Sequence, residues 1–131
     1  MSFHLGQISL LVDDYDTAIR YYRDVLGFQL QSDEAVGEKR WVVVTPNPTG
    51  QGAALQLVKA QSPQQQSLVG GQGAGKVWLF LYTDDFETDY QRLLLAGVKF
   101  LEQPRHESYG SVVIFEDLYG NRWDLMQRKV C

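Results

Sequence analysis

The segment VDDYDT at residues 12 to 17 returns 71 residues later as TDDFET at 83 to 88. A period that long, present twice, rules out a solenoid and implies a duplicated module. Each copy of the motif follows an apolar run. In QISLLV, Gln7 to Val12, alternation puts Ile8, Leu10 and Val12 on one face of a strand and Gln7, Ser9 and Leu11 on the other. Asp13 or Asp14 is then placed to cap a helix, whose apolar stripe is Ala18, Tyr22, Val25 and Leu26. Gly27 stands where a left-handed residue ends such a helix. Three β-prone runs follow, Phe28 to Gln31, Trp41 to Thr45 and Ala53 to Val58, separated by polar or Gly- and Pro-containing turns. The unit is βαβββ.

The second copy repeats the order. Val77 to Tyr82 is the strand, Asp84 or Asp85 the cap, Phe86, Tyr90, Leu93 and Leu94 the stripe, and Gly97 the stop. Lys99 to Glu102, Ser111 to Glu116 and Arg122 to Gln127 are the three later strands. The expected fold is α+β, one domain over residues 1–131 made of module one at 1–60, a crossover at 61–75 and module two at 76–131. The Gln-, Gly- and Ser-rich crossover reads as a mobile linker or as a flap over a site. Within it GGQGAGK, Gly70 to Lys76, copies the start of a phosphate-binding loop. Val77 then replaces the required Ser or Thr, and a strand rather than a helix follows, so nucleotide binding is rejected there.

Charge and cysteine usage narrow the function. Sixteen acidic and 12 basic residues give a net charge of −4 with no basic run, which argues against nucleic acid. The one cysteine, Cys131, has no internal disulfide partner and fits a reducing cytoplasm. No stretch approaches the roughly 20 apolar residues of a membrane span, and the N-terminus lacks a signal-peptide pattern, so no membrane association is expected.

The opening strand, the DD cap, the helix end YYRDVLGF and the closing EDLYGNRWDL together resemble the vicinal oxygen chelate superfamily, the group of glyoxalase I, bleomycin-resistance proteins and extradiol dioxygenases. The resemblance covers nearly the whole chain. It implies that curved mixed sheets form a cup, and that metal-dependent relatives place ligands on the first and fourth strands of each copy. Carried over residue by residue, those positions are Gln7 and Gln56 in copy one, and Trp78 and Asp124 in copy two. Indole offers a cation no lone pair, and two amides with one carboxylate make a poor donor set for a divalent ion. No metal or other cofactor is therefore expected.

Strand alternation places Gln7, Ser9, Gln56, Trp78, Phe80, Tyr82, Asp124 and Met126 on the cup side, with Trp41 and Phe115 as possible additions. Apolar walls with sparse polar tips suit a small organic ligand. The ligand-binding set is accordingly Gln7, Ser9, Trp41, Gln56, Trp78, Phe80, Tyr82 and Asp124. Asp124 is also the one candidate acid or base, either raised in pKa by a dry cup or tied to Gln7, Gln56 or Arg122. Arg105, His106, Glu107 and Tyr109, in PRHESYG, form either a solvated hairpin or part of the mouth. The resemblance leaves three functions open. The preferred one is metal-independent binding of a small, partly aromatic molecule, as in bleomycin-resistance proteins. The second is a metal-dependent lyase, isomerase or dioxygenase-type enzyme recruiting Gln7, Gln56 and Asp124. The third is a dimeric structural domain with a closed core. A homodimer is implied by the resemblance in each case.

Overall fold

A computed structural model of the chain describes residues 2–129; Cys131 lies outside the described residues. The chain divides into two compact units, with the boundary between Val69 and Gly70. It falls inside the segment expected to be the crossover. The first unit contains β1 (Gln7–Val12), α1 (Tyr15–Arg20), a π turn (Tyr21–Val25), β2 (Gln29–Val36), β3 (Lys39–Thr45), β4 (Ala54–Lys59) and the short α2 (Pro63–Gln66). Its sheet runs β1-β4-β3-β2, with β1 parallel to β4 and the other pairs antiparallel. The second unit contains β5 (Val77–Tyr82), α3 (Phe86–Leu95), β6 (Lys99–Phe100), β7 (Arg105–Glu107), β8 (Gly110–Glu116) and β9 (Arg122–Arg128). Its sheet repeats the pattern as β5-β9-β8-β6, with β7 also paired to β8 and β5 parallel to β9. Both sheets are mixed and curved, and neither closes on itself. Among the described residues no helix is long and apolar enough to cross a membrane.

The repeated aspartates do the same work twice. The Asp14 carboxylate accepts from the Thr17 amide at 2.9 Å, and Asp85 accepts from that of Thr88 at 3.2 Å, each satisfying an amide that the helix leaves free. Gly27 (φ 83°) and Gly97 (φ 90°) end the helices in the left-handed conformation that costs other residues a Cβ clash. The copies differ in one respect. Thirteen positions separate Asp14 from Gly27 (27 − 14), but only twelve separate Asp85 from Gly97 (97 − 85). The first helix absorbs its extra residue as the π turn, where the Leu26 amide reaches back to the Tyr21 carbonyl at 3.1 Å. That insertion keeps Tyr22 and Leu26 buried at the helix end.

Each helix covers one face of its own sheet. In the first unit Leu10, Val42, Val44, Leu55 and Leu57 pack beneath Ala18, Ile19 and Tyr22, all buried. In the second, the core is a chain of rings. Phe86 lies parallel to Tyr90, Tyr90 meets Phe100 edge-on at 4.8 Å, and Phe100 leads through Phe115 to Trp123. Val25 and Leu94, expected in the buried stripes, are only half-buried and exposed respectively, while Ile19 and Val98 are buried.

Several segments depart from expectation, among them β2, which runs on to Val36 past the expected Gln31. The supposed linker forms α2, because Ser62 accepts from the Gln65 amide at 3.1 Å and Pro63 occupies the first turn, where its missing N–H costs nothing. Residues 70–75 are held to the second unit: the Gln72 amide donates to Asn121 at 3.2 Å, and Arg122 donates to the Gly75 carbonyl at 2.9 Å. Gly75 and Lys76 lead directly into β5, so no helix N-terminus follows the glycine-rich run. The PRHESYG segment, read as a loop, contains β7, and the strand expected at Lys99 to Glu102 stops at Phe100.

Candidate functional site

The candidate site is built on the sheet faces that the helices leave uncovered, which are described unit by unit. In the first unit Ser9 stands opposite Gln56, Gln56 opposite Val43, and Gln7 opposite Ala54. Paired residues share a face, so Gln7, Ser9 and Gln56 lie together on the side away from α1. Gln7 and Ser9 are exposed, and Gln56 is half-buried. Trp41, two residues along β3 from Val43, extends the same face and is 39% exposed. Trp41, Gln56 and Val58 border an open depression of about 890 Å³, with Tyr15, Lys39 and Lys59 around it. Arg40 at its margin is already committed, with its guanidinium forked onto Asp33 (2.7 and 2.8 Å) and touching Asp16 at 2.9 Å.

In the second unit the register pairs Phe80 with Asp124, Tyr82 with Met126, and Asp124 with Ile114. Phe80, Tyr82, Asp124 and Met126 therefore share the face turned away from α3. Phe80 and Tyr82 each leave 56% of their surface to solvent, and the Arg128 guanidinium lies 4.5 Å from the centre of the Tyr82 ring. Both aromatics are a wall with an open side.

Trp78 does not continue this row. The pairing of β5 with β9 shifts between Val77 and Leu79, and Trp78 is the residue left over. Such a bulge breaks strict alternation, and the Trp78 ring meets Trp123, a core residue, edge-on at 5.8 Å. Phe115 also departs from expectation. It pairs with Trp123 across the ladder, stacks on it at 5.9 Å and is fully buried on the helix side. His106 pairs with Ser111, which lies on that same side, and its ring stands 6.4 Å from Phe86. The histidine is thus kept away from Asp124.

Asp124 is 8% exposed, and its Oδ1 is buried without a hydrogen-bond partner among the described residues. Burial pushes its carboxyl above the usual range; nearby Arg105 pulls it back and Glu102 pushes it further up. Arg105 does not neutralise it, being held by both oxygens of Glu102 at 3.0 and 3.1 Å. Glu102 also accepts from the Ile114 amide at 3.1 Å. The expected tie from Arg122 is absent from the described bonds, since that guanidinium reaches Gly75 instead. Glu102 and Arg128 were not among the residues expected here. Continued alternation through 124, 126 and 128 would have found Arg128, whereas Glu102 reaches the site from beyond the end of β6, where sequence periodicity gives no signal.

The positions that the resemblance assigns to metal ligands hold Gln7 and Gln56 in the first unit and Trp78 and Asp124 in the second. One carboxylate, two neutral amides and an indole do not fit a divalent ion. Among the described residues no group of three or more His, Cys, Asp and Glu side chains is disposed to hold one.

The two units share a strand, an aspartate-capped helix and a run of further strands, with the helix on one face of a mixed sheet; the second unit adds β7. The model of the Glyoxalase/Bleomycin resistance protein/Dioxygenase superfamily matches residues 4–125, and the chain belongs to that superfamily. A protein of Shewanella frigidimarina (strain NCIMB 400), described as uncharacterized, is 50% identical over 129 residues, which are 97% of this chain and 95% of the relative. The solved structure of UcmS2 is similar with a TM-score of 0.83 and 26% identity, covering 96% of this chain and 98% of its own. That of TnmS3, described as an antibiotic binding protein from Streptomyces sp. CB03234, is similar with a TM-score of 0.79 and 29% identity over 98% of each chain.

Proposed function

We propose that this protein binds a small, partly aromatic organic molecule without the help of a metal, and that its uncovered sheet faces supply the contacts. The observation that carries the reading is that two half-open rings, Phe80 and Tyr82, share one face with Asp124, whose buried Oδ1 has no hydrogen-bond partner among the described residues. Apolar surface with one oriented polar group favours a guest that has both a flat apolar part and a polar handle. On the first unit, Trp41 and Gln56 border one depression, and Ser9 and Gln7 stand further along the same face; all four belong to the proposed binding set. Similarity to TnmS3 supports binding as the function, because sequestration requires affinity and no reacting group. Trp78 supports the set indirectly, as a prop behind the wall through Trp123. The reading includes a homodimer, which light scattering tests.

The experiment is a thermal-shift screen of chelator-treated protein against small aromatic molecules, followed by calorimetry on the hits. Occupancy of the folded state raises its apparent stability. Saturable stabilisation by one chemical group, retained in chelator, is expected. Stabilisation that appears only after Ni, Zn, Mn or Fe is added would contradict the reading and favour the metal-dependent enzyme.

A further inference from the structure

We infer that the molecule bound on the second unit's open face carries a protonated amine, which the Asp124 carboxylate receives while the adjoining apolar part lies on Phe80. This deepens the proposed function and rests on it. The inference starts from an imbalance. Asp124 Oδ1 is buried, faces the same side as Phe80 and Tyr82, and has no hydrogen-bond partner among the described residues. A buried acceptor is normally satisfied, so the missing donor is the property that a guest can supply.

The surrounding charges choose the kind of donor. Arg105 is the cation whose charge acts on Asp124, and it is held by Glu102 and lies 3.8 Å from Glu107. Asp124, Glu102 and Glu107 therefore share one guanidinium. Arg122, two residues before Asp124 on β9, donates to the Gly75 carbonyl, and Arg128, beyond Met126, rests over the Tyr82 ring. The paired residues of β5 and β8, namely Phe80 and Ile114, carry no charge. A guest carboxylate would meet uncompensated acidic groups, and a neutral hydroxyl would satisfy the oxygen without balancing it. An ammonium does both. Its distance from the apolar part is set by the cross-strand pairing, which makes Phe80 and Asp124 immediate neighbours. A short link between ring and nitrogen suits such neighbours.

The test compares three probes of one shape, 2-naphthylmethylamine, 2-naphthylmethanol and 2-naphthoate, by calorimetry at neutral pH in the presence of chelator. The amine is expected to bind about tenfold tighter than the alcohol, the gain of a charge-assisted over a neutral hydrogen bond, and the carboxylate weakest of all. Asp124→Asn should bring the amine down to the alcohol's affinity. Phe80→Ala should weaken amine and alcohol alike. Equal binding of amine and alcohol by the unaltered protein overturns the assignment of the amine but leaves the aromatic-face reading standing. A preference for the amine that survives in a folded Asp124→Asn variant overturns it too. Binding of none of the three overturns both. Should Asp124→Asn fail to fold, the order of the three probes on the unaltered protein decides alone.

Discussion

Truncating Phe80 to alanine separates a pocket wall from a piece of core, because the two roles predict different losses. An aromatic side chain presents about 200 Å² of surface, and Phe80 leaves 56% of its surface exposed. About 110 Å² is then open to a ligand, which at about 25 cal/mol per Å² corresponds to about 3 kcal/mol of binding when fully covered. A ligand covering half to all of that area should lose about tenfold to a hundredfold in affinity on truncation. The already covered part, about 90 Å², is shared with the Cβ that alanine keeps, so folding stability should fall by no more than about 2 kcal/mol. Phe115 is the control on the other face of the same sheet. It is fully buried between Phe100 and Trp123, and Phe115→Ala should cost about 3–5 kcal/mol. Urea unfolding gives both stabilities, and titration with 2-naphthylmethylamine gives the affinities. The reasoning is refuted if Phe80→Ala unfolds as easily as Phe115→Ala while binding of the probe is unchanged.

Other substitutions test the frame and its charges. Gly110 has φ +147°, and an added Cβ would stand 2.2 Å from the Gln127 carbonyl oxygen; Gly110→Ala should cost more than about 2 kcal/mol in urea unfolding, since backbone on β9 would have to move. The carboxyl of Asp124 is raised by burial, so its penalty is absent below the unfolded value of about 3.9, builds as pH rises from there to the folded value and is complete above it. Melting curves of the unaltered protein and Asp124→Asn should therefore shift in the variant's favour as pH rises above about 4, and a difference independent of pH would contradict this. Asp33 shows the opposite sign. Arg40 holds its carboxyl low, which stabilises the fold above the unfolded value and is lost as pH falls through the folded one. The pair is partly exposed, so Asp33→Asn should cost less than about 1 kcal/mol at pH 7, with the difference vanishing in acid melts.

The frame was legible in the sequence wherever one residue does one local job. Asp14 and Asp85 cap, Gly27 and Gly97 stop, and QISLLV and VWLFLY alternate, so the positions of β1, β5 and both long helices follow from local chemistry. Elements held by backbone pairing were hidden. Arg105–Glu107 has no apolar alternation and becomes a strand because its main chain pairs with β8; the outer half of β2, Ser32 to Val36, is likewise carried by β3. At the site, alternation placed Phe80, Tyr82, Asp124 and Met126 on one face, and pairing across the sheet agrees. It failed at Trp78, because a bulge adds one residue to a strand without changing its composition. It also misplaced Phe115, whose direction depends on its pairing with Trp123. The loss of partners around Asp124 was not readable at all, since it depends on where Arg105 and Arg122 find other acceptors.

Metal-free binding on an aromatic face is tested most directly by calorimetric titration of one protein sample with 2-naphthylmethylamine, first in chelator and then with Ni, Zn, Mn or Fe added in turn. Saturable binding with the same affinity in every condition is the predicted result. Binding that is undetectable in chelator and appears with one of the metals, in proportion to metal taken up, would contradict it.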